Sequence, residues 1–300
     1  MQTITGARSV VLRLGDPEGS DSSQVGGKAA QLSRLADEYR VPPGFSLTAA
    51  AYDPAYSPGA PLPAVVETEV AAAYGALARD VGVPDVPVAV RSSALDEDGE
   101  LASFAGQHET ELNVVGADAV LGAVARNWAS ARSERALVYR ERQGLETSGV
   151  RLAVLVQQFV LADASAVVFS ANPITRDRDE VVVTASWGLG ESVVSGTVTP
   201  DTWVVRKADL AVREARIGAK ERMTVATSGG TREVAVPRLL RERASLSGAQ
   251  VVELAGLAVE LEARMGRPVD VEAAFAGELL YLLQSRPITT LGEPVAEIAV

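Results

Sequence analysis

The chain has no cysteine among its 300 residues. This excludes disulfide staples, thiolate metal sites and a cysteine nucleophile at once. Long uncharged apolar runs are also missing, so no segment reads as a membrane-spanning helix. The amino terminus, Met1 to Arg8, lacks the basic-then-apolar signature of a signal peptide. A soluble, cytoplasmic protein is expected on these grounds. Basic charge is in deficit: the formal net charge is -11, which argues against a nucleic-acid surface, because phosphate backbones need clustered basic residues. Cations at any anion site must then be set locally against an unfavourable overall field. Lysine is scarce among the 28 basic residues, occurring only as Lys28, Lys207 and Lys220. Its use at position 28 is informative for that reason. Internal repeats and low-complexity tracts are absent.

Polar chemistry is concentrated near the two ends. Asp270-Val271-Glu272 precedes a turn at Gly277, and Leu282-Leu283-Gln284-Ser285-Arg286-Pro287-Ile288 follows it. The pattern predicts two antiparallel strands over 270–274 and 279–283, with an acid, an amide and a guanidinium gathered at a sheet edge. Carboxylate and amide oxygens are hard ligands suited to magnesium, and the arginine fork suits phosphate oxygens. The trio reads either as a metal-nucleotide site or as a surface ion pair on a hairpin.

Two further phosphate-type elements lie in the first third. Val25-Gly26-Gly27-Lys28 opens an apolar-periodic segment (Ala29, Leu32, Leu35, Ala36) that predicts an amphipathic helix entered through a glycine turn. Paired glycines let backbone amides approach an anion, and Lys28 adds a compact positive charge. The spacing is not that of a Walker loop. The apolar run Val86 to Val90 predicts a buried strand ending in Arg91-Ser92-Ser93, a position where open α/β sheets place ligands. After it come an acidic loop, Asp96 to Glu100, and Ser103-Phe104-Ala105-Gly106-Gln107-His108-Glu109-Thr110. Small and hydroxyl residues of this kind either close over phosphates or form an ordinary solvated loop.

Elsewhere the pattern predicts helices over 64–79, 118–142 and 247–265, and strands over 151–160, 164–169 and 181–185 belonging to one central mixed sheet. Gly188, Gly190 and Gly196 mark sharp turns or a close backbone approach, and Glu191 among them is either a metal- or acceptor-stabilising group or a helix cap.

Read together, these stretches resemble successive motifs of one family. They are Gly26-Gly27-Lys28; Val41 to Phe45 with Thr48; Val90 to Ala94; Ser103 to Gln107; Phe169 to Thr175; Gly188 to Glu191 with Gly196, Pro200 and Asp201; and Gln284 to Thr289. In that order they are similar to the amino-terminal ATP-grasp nucleotide-binding domain of phosphoenolpyruvate synthase, pyruvate phosphate dikinase and rifampin phosphotransferase. The resemblance runs from about residue 5 to about residue 291. It implies a mixed α/β (α+β) ATP-grasp fold over residues 1–300, in two lobes with the nucleotide in the cleft between them, and a phosphotransferase using ATP and Mg2+. It also implies roles. Lys28 and Arg91 are expected to hold the ATP phosphates, Gly106 and Thr110 to fold over them, and Gln157 to contact adenine. Glu272 and Gln284 are expected to bind magnesium, and Arg286 to steady the transferred phosphoryl group.

Departures from the family pattern bear on the reaction. No Thr-Ser-His run marks a phosphohistidine domain, and after Thr290 only a short tail follows, so the phosphoryl acceptor is expected to come from outside this chain. That acceptor is either a histidine on a separate partner chain or a small molecule. A free-standing kinase or ligase acting on a metabolite, and a non-catalytic nucleotide-binding protein, are the alternatives. The only histidine, His108, is either a proton carrier or a solvated loop residue.

Overall fold

The computed structural model describes residues 9–52, 56–95, 110–131, 133, 138, 151–289 and 291. The chain divides into two compact units, Met1–Leu161 with Ala226–Arg232, and Ala162–Val225 with Glu233–Val300. Each is built on its own antiparallel sheet.

In the first unit the strands are β1 (Val11–Arg13), β2 (Gly44–Leu47), β3 (Val88–Ala94), β4 (Thr110–Val114) and β5 (Leu152–Gln158). Their order is β1-β2-β5-β3-β4, and every pairing is antiparallel. The central strand, β5, is buried from Leu152 to Gln157, which explains its continuous apolar sequence: a strand covered on both faces has no reason to alternate. Helices α2 (Ala64–Val81) and α3 (Ala117–Ser130) cover one face. There Val66, Val70, Leu77, Val120, Val124 and Trp128 meet Phe45, Leu47, Val90, Val154 and Val156, each contributing roughly 1.5–3 kcal/mol if a large side chain is fully buried. The Trp128 indole is buried between Tyr52 and Tyr56, at ring-centroid distances of 5.5 and 5.4 Å, edge to face. Helix α1 (Ser22–Leu35) packs against β3, β5 and β2. Helix α2 ends where Gly82 adopts φ 74°, a left-handed cap that only glycine takes without strain.

In the second unit the strands are β6 (Ala164–Phe169), β7 (Glu180–Trp187), β8 (Asp201–Arg206), β9 (Val212–Arg216), β12 (Val269–Ala276) and β13 (Leu279–Pro287). Their order is β13-β12-β6-β7-β8-β9. Between them in sequence, β10 (Arg222–Thr227) and β11 (Gly230–Ala235) form a two-stranded ribbon. The short helices α4 (Glu191–Val194) and α5 (Arg238–Arg241) precede the long helix α6 (Gly248–Met265). Ser247 starts α6 with a capping box: its hydroxyl accepts from the Gln250 amide, and the Gln250 side chain accepts from the Ser247 amide. Helix α6 lies on β12, β7 and β6, burying Val251, Leu254, Ala258 and Leu261.

Two expectations are corrected here. The strands predicted over 151–160, 164–169 and 181–185 do not share one mixed sheet. The first belongs to the first unit and the other two to the second, because the chain turns at Leu161 to Asp163 and the Asp163 amide is taken up by Phe275 of β12. The helix predicted over 118–142 stops at Ser130, capped by Ala131. Most of the remainder, residues 132, 134–137 and 139–142, lies outside the described residues, and Val138 is helical.

Candidate functional site

Helix α1 contains a break. Gly26 has φ 75° and ψ 165°, so the segment turns there before the run containing Lys28 begins. The glycine is required twice over. Its φ is left-handed, and a Cβ at this position would stand 2.3 Å from the Ser93 carbonyl oxygen and 2.4 Å from Ser93 Oγ. The turn is thereby seated on the end of β3. Lys28 Nζ donates to the Ser92 carbonyl at 3.0 Å, and the Ala29 amide donates to Ser93 Oγ at 3.3 Å. Arg91, two residues earlier on β3, is half-buried and stands directly opposite Thr110 of β4. Lys28, Arg91 and Thr110 are therefore anchored on β3 or its partner strand. Gln157, on the central strand, is 2% exposed. Its amide nitrogen donates to the Pro42 carbonyl at 3.1 Å, and its strand neighbours are the small residues Gly44 and Ala89. Gly106 and His108 lie outside the described residues.

In the second unit the predicted hairpin forms as β12 and β13, turning at Gly277 with φ 60°. Register does the rest. Glu272 stands opposite Gln284, and Asp270 opposite Arg286. Directly opposed residues share a face of the sheet, and the rows continue across β6 and β7 as Val167 and Thr184 beyond Glu272, and Phe169 and Val182 beyond Asp270. The alternate residues Val271, Val168, Val183 and Trp203 are buried. Gln284 and Arg286 are on the edge strand and Glu272 on the strand beside it.

Asp270 was part of the sequence motif, and its function here is structural as well as electrostatic. Its Oδ2 accepts from Arg286 Nε at 2.8 Å and lies 2.8 Å from the second guanidinium nitrogen. Burial raises its carboxyl above the ordinary aspartate range, the Arg286 charge draws it back down, and Glu272 pushes it up again. Its Oδ1 is buried with no hydrogen-bond donor. A carboxylate, an amide and an orphaned buried carboxylate oxygen on adjacent positions form a hard oxygen donor set, and these residues fit a magnesium ion.

The glycine-rich stretch after β7 behaves as a close approach. Gly188 has φ 76°, a Cβ on it would lie 2.4 Å from the Thr224 carbonyl, and the Leu189 amide bonds that same carbonyl at 2.9 Å. Glu191 is exposed at the start of α4. One buried cluster was not foreseen. Lys220 and Asp201, both fully buried, are paired at 2.5 Å, and Asp201 also accepts from the Gly218 amide and from the Ser245 amide and hydroxyl. Among the described residues no helix is long and apolar enough to cross a membrane.

Fold and site together define a class: an α+β protein of two sheet-based units, each carrying side chains of the kind that hold a metal-bound polyphosphate. Residues 55–299 match the family described as pyruvate phosphate dikinase, AMP/ATP-binding domain, and the chain belongs to that family. Its relatives include a phosphoenolpyruvate synthase of Pyrococcus furiosus, 44% identical over 77% of this chain and 30% of that protein. A rifampicin phosphotransferase of Streptomyces sviceus is 39% identical over 96% of this chain, an alignment long enough to take in Lys28, and 37% of that protein. The chain thus spans about a third of the length of the curated relatives it matches. Among solved structures, an acetyl-coenzyme A synthetase of Ca. Korarchaeum cryptofilum is 12% identical over 73% of this chain and 80% of that one, with a TM-score of 0.38, too distant to bear on function.

Proposed function

We propose that this chain is the nucleotide-binding module of an ATP-dependent phosphotransferase, binding Mg-ATP and passing a phosphoryl group to an acceptor outside the chain. The observation that carries the reading is the register of β12 and β13, which sets Glu272 opposite Gln284 and Asp270 opposite Arg286 inside the region matched by an AMP/ATP-binding family. Lys28 and Arg91 hold phosphate oxygens, Gly106 and Thr110 cover them, and Gln157 meets the base. Glu272 and Gln284 hold magnesium, with the free oxygen of Asp270 beside them. When bound, the ion neutralises phosphate oxygens and so lowers the cost of an approaching nucleophile. Arg286, oriented by its two contacts to Asp270, donates to the phosphoryl oxygens as the bond to the leaving oxygen breaks and that oxygen keeps the electron pair.

The acceptor is a phosphohistidine-forming residue that lies outside residues 1–300, or a small molecule. The relatives' names, phosphoenolpyruvate synthase and rifampicin phosphotransferase, support a phosphotransferase and leave both acceptors in play. Two experiments test the reading. Saturating Mg-ATP should raise the melting temperature of the parent chain. Lys28→Ala and Arg286→Ala should fold yet each weaken nucleotide binding by about 10-fold to 100-fold, the loss of a charge-assisted contact of ~1.5–3 kcal/mol. Full retention of the ATP-induced shift in both variants rejects the site. Phosphorus magnetic resonance of the products then separates the acceptors: AMP indicates a histidine relay, ADP a direct kinase or ligase.

A further inference from the structure

We infer that Ser93 is a positioning residue that fixes the spacing of Lys28 and Arg91, and so sets how strongly the chain prefers a nucleoside triphosphate over a monophosphate. The inference rests on the nucleotide reading above and adds to it a residue that touches no ligand. Ser93 is completely buried. Its hydroxyl accepts the Ala29 amide, one residue past Lys28, and its backbone and hydroxyl oxygens form the wall against which the Gly26 turn is pressed. The preceding carbonyl, Ser92, receives the Lys28 ammonium. Arg91 lies two positions back on the same strand, so its side chain leaves β3 on the same face as the Ser93 hydroxyl.

Strand β3 therefore carries one cation and anchors the other. Arg91 is fixed by the strand itself, whereas Lys28 is carried by a helix start that is tied to β3 through the Ser92 carbonyl and the Ser93 hydroxyl. Gly26 allows this contact because it has no Cβ. A monophosphate offers one anionic group and a triphosphate three, so an error in the separation of two cations weakens triphosphate binding far more than monophosphate binding.

The test is a thermodynamic cycle on the full chain, with affinities for Mg-ATP and for AMP read by calorimetry. Ser93→Ala should lower Mg-ATP affinity about 5-fold to 10-fold, the scale of one net hydrogen bond to a group that positions a charge, while AMP affinity changes less than about twofold. In the Lys28→Ala background the same substitution should cost nothing further, because its effect passes through Lys28. Equal losses for ATP and AMP, or a Ser93→Ala effect that simply adds to that of Lys28→Ala, overturn the proposal and make Ser93 a packing residue, leaving the nucleotide reading intact. An unchanged Mg-ATP affinity in Lys28→Ala overturns the proposal, and an unchanged affinity in Arg286→Ala as well overturns the nucleotide reading. If Ser93→Ala does not fold, Ser93→Cys, which keeps the shape but is a poor acceptor, carries the same two expectations.

Discussion

Lys220 is withdrawn from water entirely, and its ammonium is satisfied by Asp201 and the Gly218 carbonyl. Buried ion pairs gain little over an apolar replacement of the same shape, but removing one partner strands the other. Lys220→Met should therefore cost about 3–5 kcal/mol in guanidinium unfolding, and adding Asp201→Asn should recover part of that loss. Further loss in the double variant would show that the Gly218 and Ser245 contacts of Asp201 need its full charge. Gly26 makes the opposite case, a residue valued for what it lacks. Gly26→Ala places a Cβ 2.3 Å from a backbone oxygen at φ 75°, and should destabilise the first unit by about 2 kcal/mol or more, from left-handed strain and overpacking together. Urea unfolding followed at Trp128, buried in that unit's core, reports it. Of these residues the sequence pointed to Gly26 and Lys28, because a glycine pair before an apolar periodicity is a local signal. The Ser93 contact is separated by 64 residues from Ala29, and no local pattern carries that. Scarcity of lysine drew notice to position 28, yet Lys220 is the lysine that is fully buried and Lys207 pairs with Glu262 at 2.7 Å.

At the scale of elements, what was legible is what short-range chemistry dictates. The final hairpin was readable from Gly277 and the apolar alternation on either side, and its pairing extends further than predicted, from Val269–Pro287 to Ala276–Leu279. Register sets the proposed site: opposition of Glu272 to Gln284 follows from the turn and from the irregularity between Glu272 and Ala273, and a one-residue slip would have moved one partner to the other face. Sheet membership was not legible. Strands 152–158 and 164–169 are close in sequence and equally apolar, and only tertiary pairing assigns them to different sheets. Helix α6 was readable from its apolar period, Val251, Leu254, Leu257 and Leu261, and the structure adds the local cap made by Ser247 and Gln250. Ser247→Ala should cost ~1 kcal/mol, a typical value for loss of an N-cap hydroxyl, measured as a shift in the denaturation midpoint of the second unit. The β10–β11 tip is held differently: Asn113, itself at φ 57°, donates to the carbonyls of Thr227 and Gly230 at 2.6 and 2.8 Å. Asn113→Ala should expose that tip, seen as faster proteolysis at residues 227–230, while melting changes little.

For the whole molecule, charge decides how a polyanion is received. The chain carries a net charge of -11, and the proposed site adds Glu272 and Asp270 to an already repulsive field. Free ATP is itself highly anionic, so binding without a divalent cation sets like charges together in the partly dry environment around Asp270. Magnesium held by Glu272 and Gln284 would change the sign of the contact, because it would set positive charge against the phosphates. Removal of magnesium with EDTA should therefore weaken ATP binding at least ~10-fold, the equivalent of about 1.4 kcal/mol. Glu272→Gln should invert part of this dependence. With a neutral amide in place of the carboxylate, metal-free ATP meets less repulsion and binds more tightly than it does to the parent chain, whereas Mg-ATP loses a charged ligand and binds less tightly. Asp270 is left in place in that variant, so its pairing with Arg286 persists and the fold is preserved. Calorimetric titration of both proteins with ATP, with and without magnesium, gives the four affinities needed. If Glu272→Gln weakened ATP binding by the same factor in both conditions, Glu272 would be a packing residue of β12, and the metal would have to be held by other groups.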